Sequence, residues 1–197
     1  MRRTPPPTSS APASLAGQLL IAMPGMNDPR FAHSVILLCA HDEEHAMGIA
    51  INTPMRGITV EGLLKQLGIP NETLADPDQA VLFGGPVENE RGFVLHSLDW
   101  HRDGMTLPVT PGVGLTTARD ILEDMGQGSG PHFSSVAVGY AGWGPGQLEE
   151  ELRANAWLTC AASRSLIFDD RYDDKWQKAI ATLGVSAAHL SGHSGRA

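Results

Sequence analysis

The sequence has few basic residues, which limits the partners it can recognise. Lysine and arginine total 14 against 22 aspartate and glutamate residues, and the formal charge is -8. Affinity for nucleic acid depends on clustered positive charge, and the most basic stretch here is only the pair Arg2-Arg3 in a Pro- and Ser-rich segment. The sequence therefore predicts that the protein does not bind DNA directly.

Cysteines and long apolar runs are also scarce. The two cysteines, Cys39 and Cys160, are far apart, and Cys39 lies in the apolar run SVILLCA. That run predicts a buried strand, so Cys39 is expected to be a small buried hydrophobe rather than a reactive thiol. A reduced, cytoplasmic setting is expected. No apolar run approaches the roughly 20 residues of a membrane-spanning helix, so no membrane association is predicted.

The chain of 197 residues, 42% hydrophobic, has the length and composition of one globular domain. Residues 1–14 are Pro-rich and polar and lack the apolar segment of a secretory signal, so they are expected to be a disordered tail. Residues 191–197 are expected to be a loose C-terminal tail. The predicted domain spans residues 15–190.

Between the tails, short apolar runs typical of strands and segments with the apolar spacing of helices follow one another along the chain. Short apolar runs bounded by Pro, Gly and Asp predict strands at residues 17–23, 34–40, 46–52, 81–83, 93–96 and 134–140. Capping residues and helical spacing predict helices at residues 59–67, from 116 or 117 to 125, from 145, and 173–183. Gly112–Thr117 is interpreted as the entry to a helix, and GGPVENERG as a turn. The order predicts an α+β domain with a mixed or mostly antiparallel sheet.

Two glycine-rich stretches, residues 84–86 (GGP) and 139–146 (GYAGWGPG), are the best candidates for a site. Glycines clustered beside a large aromatic residue indicate close backbone approach, a positive φ or a cavity. Turn geometry alone also explains GGP. Alternatively, the stretches form two walls of one groove, with Tyr140 or Trp143 as its floor and Arg91 at its rim. The candidate groove residues are Gly84, Gly85, Pro86, Arg91, Tyr140, Gly142, Trp143, Gln147 and Glu149.

The helix predicted from Pro145 is acidic. Leu148 and Leu152 define its buried face, which leaves Glu149 near the edge. The positions expected to face outward are Gln147, Glu150 and Glu151. This acidic surface is interpreted either as a solvated face or as a surface that binds a protein partner or a cationic ligand.

The segment His41-Asp-Glu-Glu-His45 contains two histidines four residues apart. A zincin requires Glu directly after the first His and a helix that brings both rings to one face, whereas Asp42 takes that place here in a predicted hairpin turn. Cys39 could join the two histidines as a further ligand, but the sequence offers no second pair of ligands to complete a metal site. No metal site, cofactor or catalytic residue is therefore predicted.

Several motifs together resemble a known family: MP..NDP.F..SVILLC.H, AMGI.IN.P, FGGPV..ERGFVLH, GYAGW..GQLE.E...NAWL and KW..A...LGV. Over about residues 15–190 the sequence is similar to the AlgH/YqgE family, bacterial proteins described as uncharacterised or as transcriptional regulators. The resemblance implies an α+β domain with a bent, partly barrel-like sheet flanked by helices.

Three classes of function remain open. The leading hypothesis is a soluble, non-enzymatic regulatory or interaction protein with an unidentified protein partner, since the resemblance implies regulation and no catalytic set is present. The alternative is a small-molecule-binding protein or an enzyme that uses the glycine-rich groove. A DNA-binding transcriptional regulator is the least favoured class because of the charge and the lack of a recognisable helix-turn-helix.

Overall fold

The computed structural model describes residues 14–117, 119–185 and 190. Its short apolar runs form the strands of a curled sheet. The strands in these residues are β1 (Gln18–Ala22), β2 (Val35–His41), β3 (Ala46–Ala50), β4 (Pro54–Thr59), β5 (Ala80–Phe83), β6 (Val87–Ser97), β7 (Thr106–Thr110), β8 (Val113–Thr116), β9 (Ser134–Trp143) and β10 (Trp157–Ala161). The α-helices there are α1 (Val60–Gln66), α2 (Arg119–Gly126), α3 (Gln147–Arg153), α4 (Arg164–Ile167) and α5 (Tyr172–Ala181). Except for Ser14, the two expected tails lie outside the described residues.

The strands form one mostly antiparallel sheet in the order β10-β1-β2-β3-β9-β6-β8-β7. Strand β9 is long enough to pair with β6 along one edge and with β3 and β5 along the other. The β5–β9 pair is parallel, and β4 pairs with β5 at the side of the main path. The sheet curls into a half-barrel, which confirms the expected α+β fold with a bent, mixed and mostly antiparallel sheet.

Strands β1 and β2 bury both of their faces. In β1, Leu19 belongs to the cluster inside the curl with α4 and α5, whereas Leu20 belongs to a second cluster that includes Leu148 of α3. Helices α1 and α2 cover a third cluster around Val81 and Val136. Burial on both faces explains why β1 and β2 appear in the sequence as nearly continuous apolar runs.

Three local predictions are wrong. Val113–Thr116 form strand β8, not a helix entry, and Gly114 leaves room for the side chain of Thr106, because a Cβ would lie 2.5 Å from Thr106 Cγ2. GGPVENERG is not a simple turn, since β6 already starts at Val87 and bulges before Gly92 pairs with Val138. The acidic helix begins at Gln147 rather than Pro145, after a left-handed Gly146.

Within the described residues, the core also contains a lysine side chain. Lys175 of α5 is fully buried, and its Nζ donates hydrogen bonds of 2.8 Å to the carbonyl oxygens of both Ile51 and Ile167. Burial lowers the pKa of Lys175 to about 8. These bonds join α5 to the residue after β3 and to the end of α4.

Among the helices of the described residues, none has the length and hydrophobicity needed to cross a membrane.

Candidate functional site

The two glycine-rich segments lie side by side. A Cβ on Gly84 would lie 2.3 Å from the oxygen of Gly139, and a Cβ on Gly85 would lie 2.1 Å from the carbonyl carbon of Tyr140. Gly84 N–H also donates to the oxygen of Val138 at 2.9 Å. Glycine is therefore required at both positions, because only a backbone without side chains fits against β9.

An apolar pocket of about 500 Å³ opens beside these segments and is lined by residues of β2, β3, β6, β7, β8 and β9. Its aromatic wall is formed by Phe93 and Tyr140, whose ring centroids are 5.7 Å apart in an edge-to-face arrangement. Val87, Met105 and Leu107 line the same pocket and are 36%, 42% and 45% exposed. The apolar pocket thus combines a packed aromatic wall with three exposed aliphatic side chains.

Several carboxylates lie close in the chain to two polar residues that line the apolar pocket, His45 and Arg91. Exposed acidic residues occupy the β2–β3 turn and the β6 bulge, next to the lining residues His45 and Arg91: Asp42, Glu43, Glu44, Glu88 and Glu90. Arg91 pairs with Glu88 at 2.9 Å, and His45 Nδ1 lies 3.0 Å from Asp42 Oδ1. The pKa of Asp42 is lowered because its carboxylate accepts the backbone N–H groups of Glu44 and His45.

A second cavity, the tryptophan pocket, lies on the other side of the end of β9 and has a volume of about 760 Å³. Trp143, Trp157 and Phe31 contribute aromatic groups to its lining, and Gln147 and Glu151 contribute polar groups. The two pockets share a wall, which consists of Val87, Gly142 and Trp143. The end of β9 therefore separates an apolar cavity from a more polar one.

Glu151 is the centre of the polar side of the tryptophan pocket. Its carboxylate accepts hydrogen bonds from Trp143 Nε1 at 2.9 Å, Trp157 Nε1 at 2.7 Å and Gln147 Nε2 at 2.9 Å. Both indole rings are buried, so these bonds satisfy donors that would be costly to leave unpaired. The prediction that Glu151 faces outward is wrong, because three residues after Leu148 a side chain shares the inner face of α3.

A histidine anchors the helix that carries Glu151. The backbone N–H of Leu15 donates to His41 Nδ1 at 3.0 Å, so Nδ1 carries the lone pair and Nε2 carries the hydrogen. His41 Nε2 then donates to Glu149 Oε1 at 2.7 Å. The pKa of Glu149 is lowered because its carboxylate accepts its own backbone N–H and the bond from His41. Both imidazole nitrogens are thus hydrogen-bonded: Nδ1 to the segment before β1, and Nε2 to α3, which it holds against the end of β2.

Comparison with known proteins places this architecture in a family. The model of the AlgH-like family (DUF179) matches residues 19–188. The chain belongs to the AlgH-like family. A UPF0301 protein of Caulobacter vibrioides is 54% identical over 184 residues, covering 93% of this chain and 94% of the relative. A UPF0301 protein of Beijerinckia indica is 52% identical over 196 residues, covering 96% of each chain.

Two solved structures resemble the AlgH-like fold described above. The solution structure of AlgH from Pseudomonas aeruginosa is 39% identical, with a TM-score of 0.75 over 97% of this chain and 100% of that chain. A crystal structure of a Corynebacterium diphtheriae protein is 20% identical, with a TM-score of 0.70 over 97% and 94% of the two chains. The second match shows the fold alone.

The candidate groove residues of this AlgH-like chain are distributed between the two pockets. The apolar pocket is lined by Arg91, Tyr140, Gly142 and Trp143, and the tryptophan pocket by Pro86, Gly142, Trp143 and Gln147. Gly84 and Gly85 lie behind them against β9, while Glu149 lines neither pocket and binds His41. The sequence reasoning missed Glu151, Trp157, Phe31, Met105 and Leu107. Helical spacing from Leu148 was the available signal for Glu151.

Cys39 lies in β2 as predicted and is 3% exposed. Burial raises the pKa of its thiol to about 12, so the thiolate is strongly disfavoured. The structure confirms the buried strand. In the described part of the chain, His, Cys, Asp and Glu side chains form no group of three or more arranged to hold a metal ion.

Proposed function

We propose that this AlgH-like protein is a non-enzymatic interaction domain whose apolar pocket takes an apolar segment of a protein partner. The observation that carries the proposal is the grouping of Val87, Met105 and Leu107 around the aromatic wall formed by Phe93 and Tyr140. Single exposed aliphatic residues are ordinary on a protein surface. Several of them around one concavity are typical of a binding site.

The charges around the apolar pocket favour a partner segment with basic flanks. Five carboxylates lie on the β2–β3 turn and the β6 bulge, and the nearby basic residues Arg91 and His45 each already contact one of them. The surroundings are therefore net negative, which steers a positively charged partner towards the pocket. Apolar side chains of the partner would supply the affinity and its flanking Lys or Arg residues the orientation.

Selection from a displayed random-peptide library against the purified protein tests this proposal. We expect the recovered peptides to combine apolar anchors with flanking Lys or Arg. A selected peptide should bind Leu107→Ser at least about tenfold more weakly by fluorescence anisotropy, because the variant loses apolar contact area at the rim. Ile58→Ser is the matched control, since Ile58 is 38% exposed on β4 and does not line the pocket.

Two results would contradict peptide binding at the apolar pocket. One is the recovery of mainly acidic peptides, and the other is an affinity that Leu107→Ser leaves unchanged. Sedimentation analysis adds a separate check. A concentration-dependent dimer abolished by Leu107→Ser would assign the apolar pocket to a second copy of the chain instead of another protein.

The alternative, small-molecule binding, is favoured by one specific observation, the polar and aromatic lining of the tryptophan pocket around Glu151. Direct DNA binding has the least support, because the charge of -8 opposes it. A regulatory role in transcription and a cytoplasmic location stay predictions.

A further inference from the structure

We infer that the tryptophan pocket binds a small organic cation, an alkylated ammonium group, with Glu151 as its counter-charge. This inference rests on the small-molecule alternative and is independent of peptide binding at the apolar pocket.

The charge of the tryptophan pocket is unbalanced. Across the described residues, the ion pairs within 4.0 Å include none that joins Glu151 to a Lys, Arg or His side chain. Asp28 and Arg30, which also line the pocket, neutralise each other through bonds of 2.7 to 3.1 Å. The carboxylate of Glu151 is held in place by indole and amide donors rather than by a cation. The pocket therefore has an uncompensated negative charge.

The aromatic lining suits a cation as well. Trp157 packs edge-to-face against Phe31 at 5.8 Å and against Trp143 at 6.0 Å. The guanidinium carbon of Arg30 lies 5.8 Å from the centroid of Phe31, so this lining already holds one cation over an aromatic ring. Aromatic faces attract ammonium groups through the ring quadrupole, most strongly where water is excluded.

Hydrogen-bonding capacity selects the kind of cation. The Glu151 carboxylate has about four acceptor positions and uses three of them inside the protein. Gln147 is also occupied, because its Oε1 accepts the Gly144 N–H and its Nε2 donates to Glu151. A primary ammonium has three N–H donors and a guanidinium has five, whereas a quaternary ammonium needs none. Around Glu151 and Gln147, negative charge with few free acceptors therefore favours an alkylated ammonium, and the cavity of about 760 Å³ is large enough for one.

Titration with choline, followed by the indole Nε1–H signals of Trp143 and Trp157 in ¹⁵N-labelled protein, tests the inference. We expect saturable shifts of both signals in the millimolar range or below. The neutral isostere 3,3-dimethylbutan-1-ol should bind at least about tenfold more weakly, because it keeps the shape and loses the charge. Ethanolamine should also bind more weakly than choline.

Two variants separate the charge from the aromatic wall. Glu151→Gln should weaken choline binding by about tenfold, while Glu150→Gln, an exposed residue on the same helix, should leave it unchanged. Phe31→Leu should weaken binding several-fold, because it keeps apolar bulk and removes the ring face. The dispersion of the ¹⁵N spectrum establishes that each variant is folded.

Three results would overturn the inference: no saturable shift with choline in the millimolar range, equal binding of choline and its neutral isostere, or unchanged choline affinity in folded Glu151→Gln. Ethanolamine binding as tightly as choline would overturn the preference for an alkylated group. Failure here is distinguishable from failure of the proposed function, because Leu107→Ser should retain choline binding and Glu151→Gln should retain peptide binding.

Discussion

Lys175 and Glu151 are two charged side chains held by neutral partners rather than by opposite charges, in very different surroundings. Lys175 is sealed in the core and donates to two main-chain carbonyls. Glu151 is partly exposed beside a cavity and accepts from two indoles and one amide. In the first case the protein satisfies the charge within the core. In the second case the charge remains accessible to a ligand.

The difference distinguishes a structural charge from a candidate binding charge. Ile51 and Ile167, the partners of Lys175, belong to different parts of the chain, so its side chain connects elements that surround the core. The partners of Glu151 are side chains at the edge of the tryptophan pocket, and one acceptor position is left. We expect the loss of Lys175 to affect mainly stability and the loss of Glu151 to affect mainly binding.

The largest expected effect is that of Lys175→Ala on folding. The variant leaves two carbonyls without their donor and creates a cavity, so the free energy of unfolding should fall by about 4 kcal/mol. Urea denaturation measures the loss, with the exposed Gln177→Ala on the same helix as the control. Equal losses of the free energy of unfolding in Lys175→Ala and Gln177→Ala would show that Lys175 is not a structural charge.

The second effect concerns pH. Burial places the pKa of Lys175 at about 8, below its ordinary value of 10.5. Between about pH 8 and pH 10.5 the unfolded chain keeps the Lys175 proton that the folded protein has released. The contribution of Lys175 to the free energy of unfolding therefore rises as the pH increases. The gain approaches about 3 kcal/mol at full deprotonation of both states.

Urea denaturation at about pH 7.5 and about pH 9.5 checks this sign. Lys175→Met is the reference, because it keeps most of the volume and cannot titrate. Tyr172, whose pKa is raised mainly by burial, is present in both proteins and contributes in the opposite direction. A difference between wild type and Lys175→Met that does not change with pH would rule out the lowered pKa.

The smallest effect is that of Glu151→Gln on stability. Glutamine keeps one acceptor oxygen for the buried indoles but loses the charge that strengthens their bonds, so we expect a loss of about 1 kcal/mol. Urea denaturation beside Glu150→Gln measures it. If Glu151→Gln cost as much as Lys175→Ala, Glu151 would belong with the structural charges and the comparison above would fail.

Much of the fold was predictable because local spacing and burial agree. The runs that became β1, β2 and β3 were predicted to within two residues at each end, since apolar residues on both faces mark a strand buried on both sides. Strand β7 was missed because it contains Pro108 and exposed Leu107, as suits the edge of the sheet. Strand β10 was missed because it is short and begins only a few residues after the end of α3.

The sequence by itself determined the α+β class, the buried strand around Cys39, the family and the two glycine-rich segments. The tertiary structure alone decided the surroundings of Glu151 and Lys175. Helical position predicts which face a side chain takes, but its partners come from distant segments: Trp157 for Glu151, and Ile51 for Lys175. Whether a charge is solvated, buried in the core or exposed to a cavity depends on which groups of those distant segments contact it. The local sequence does not determine those contacts.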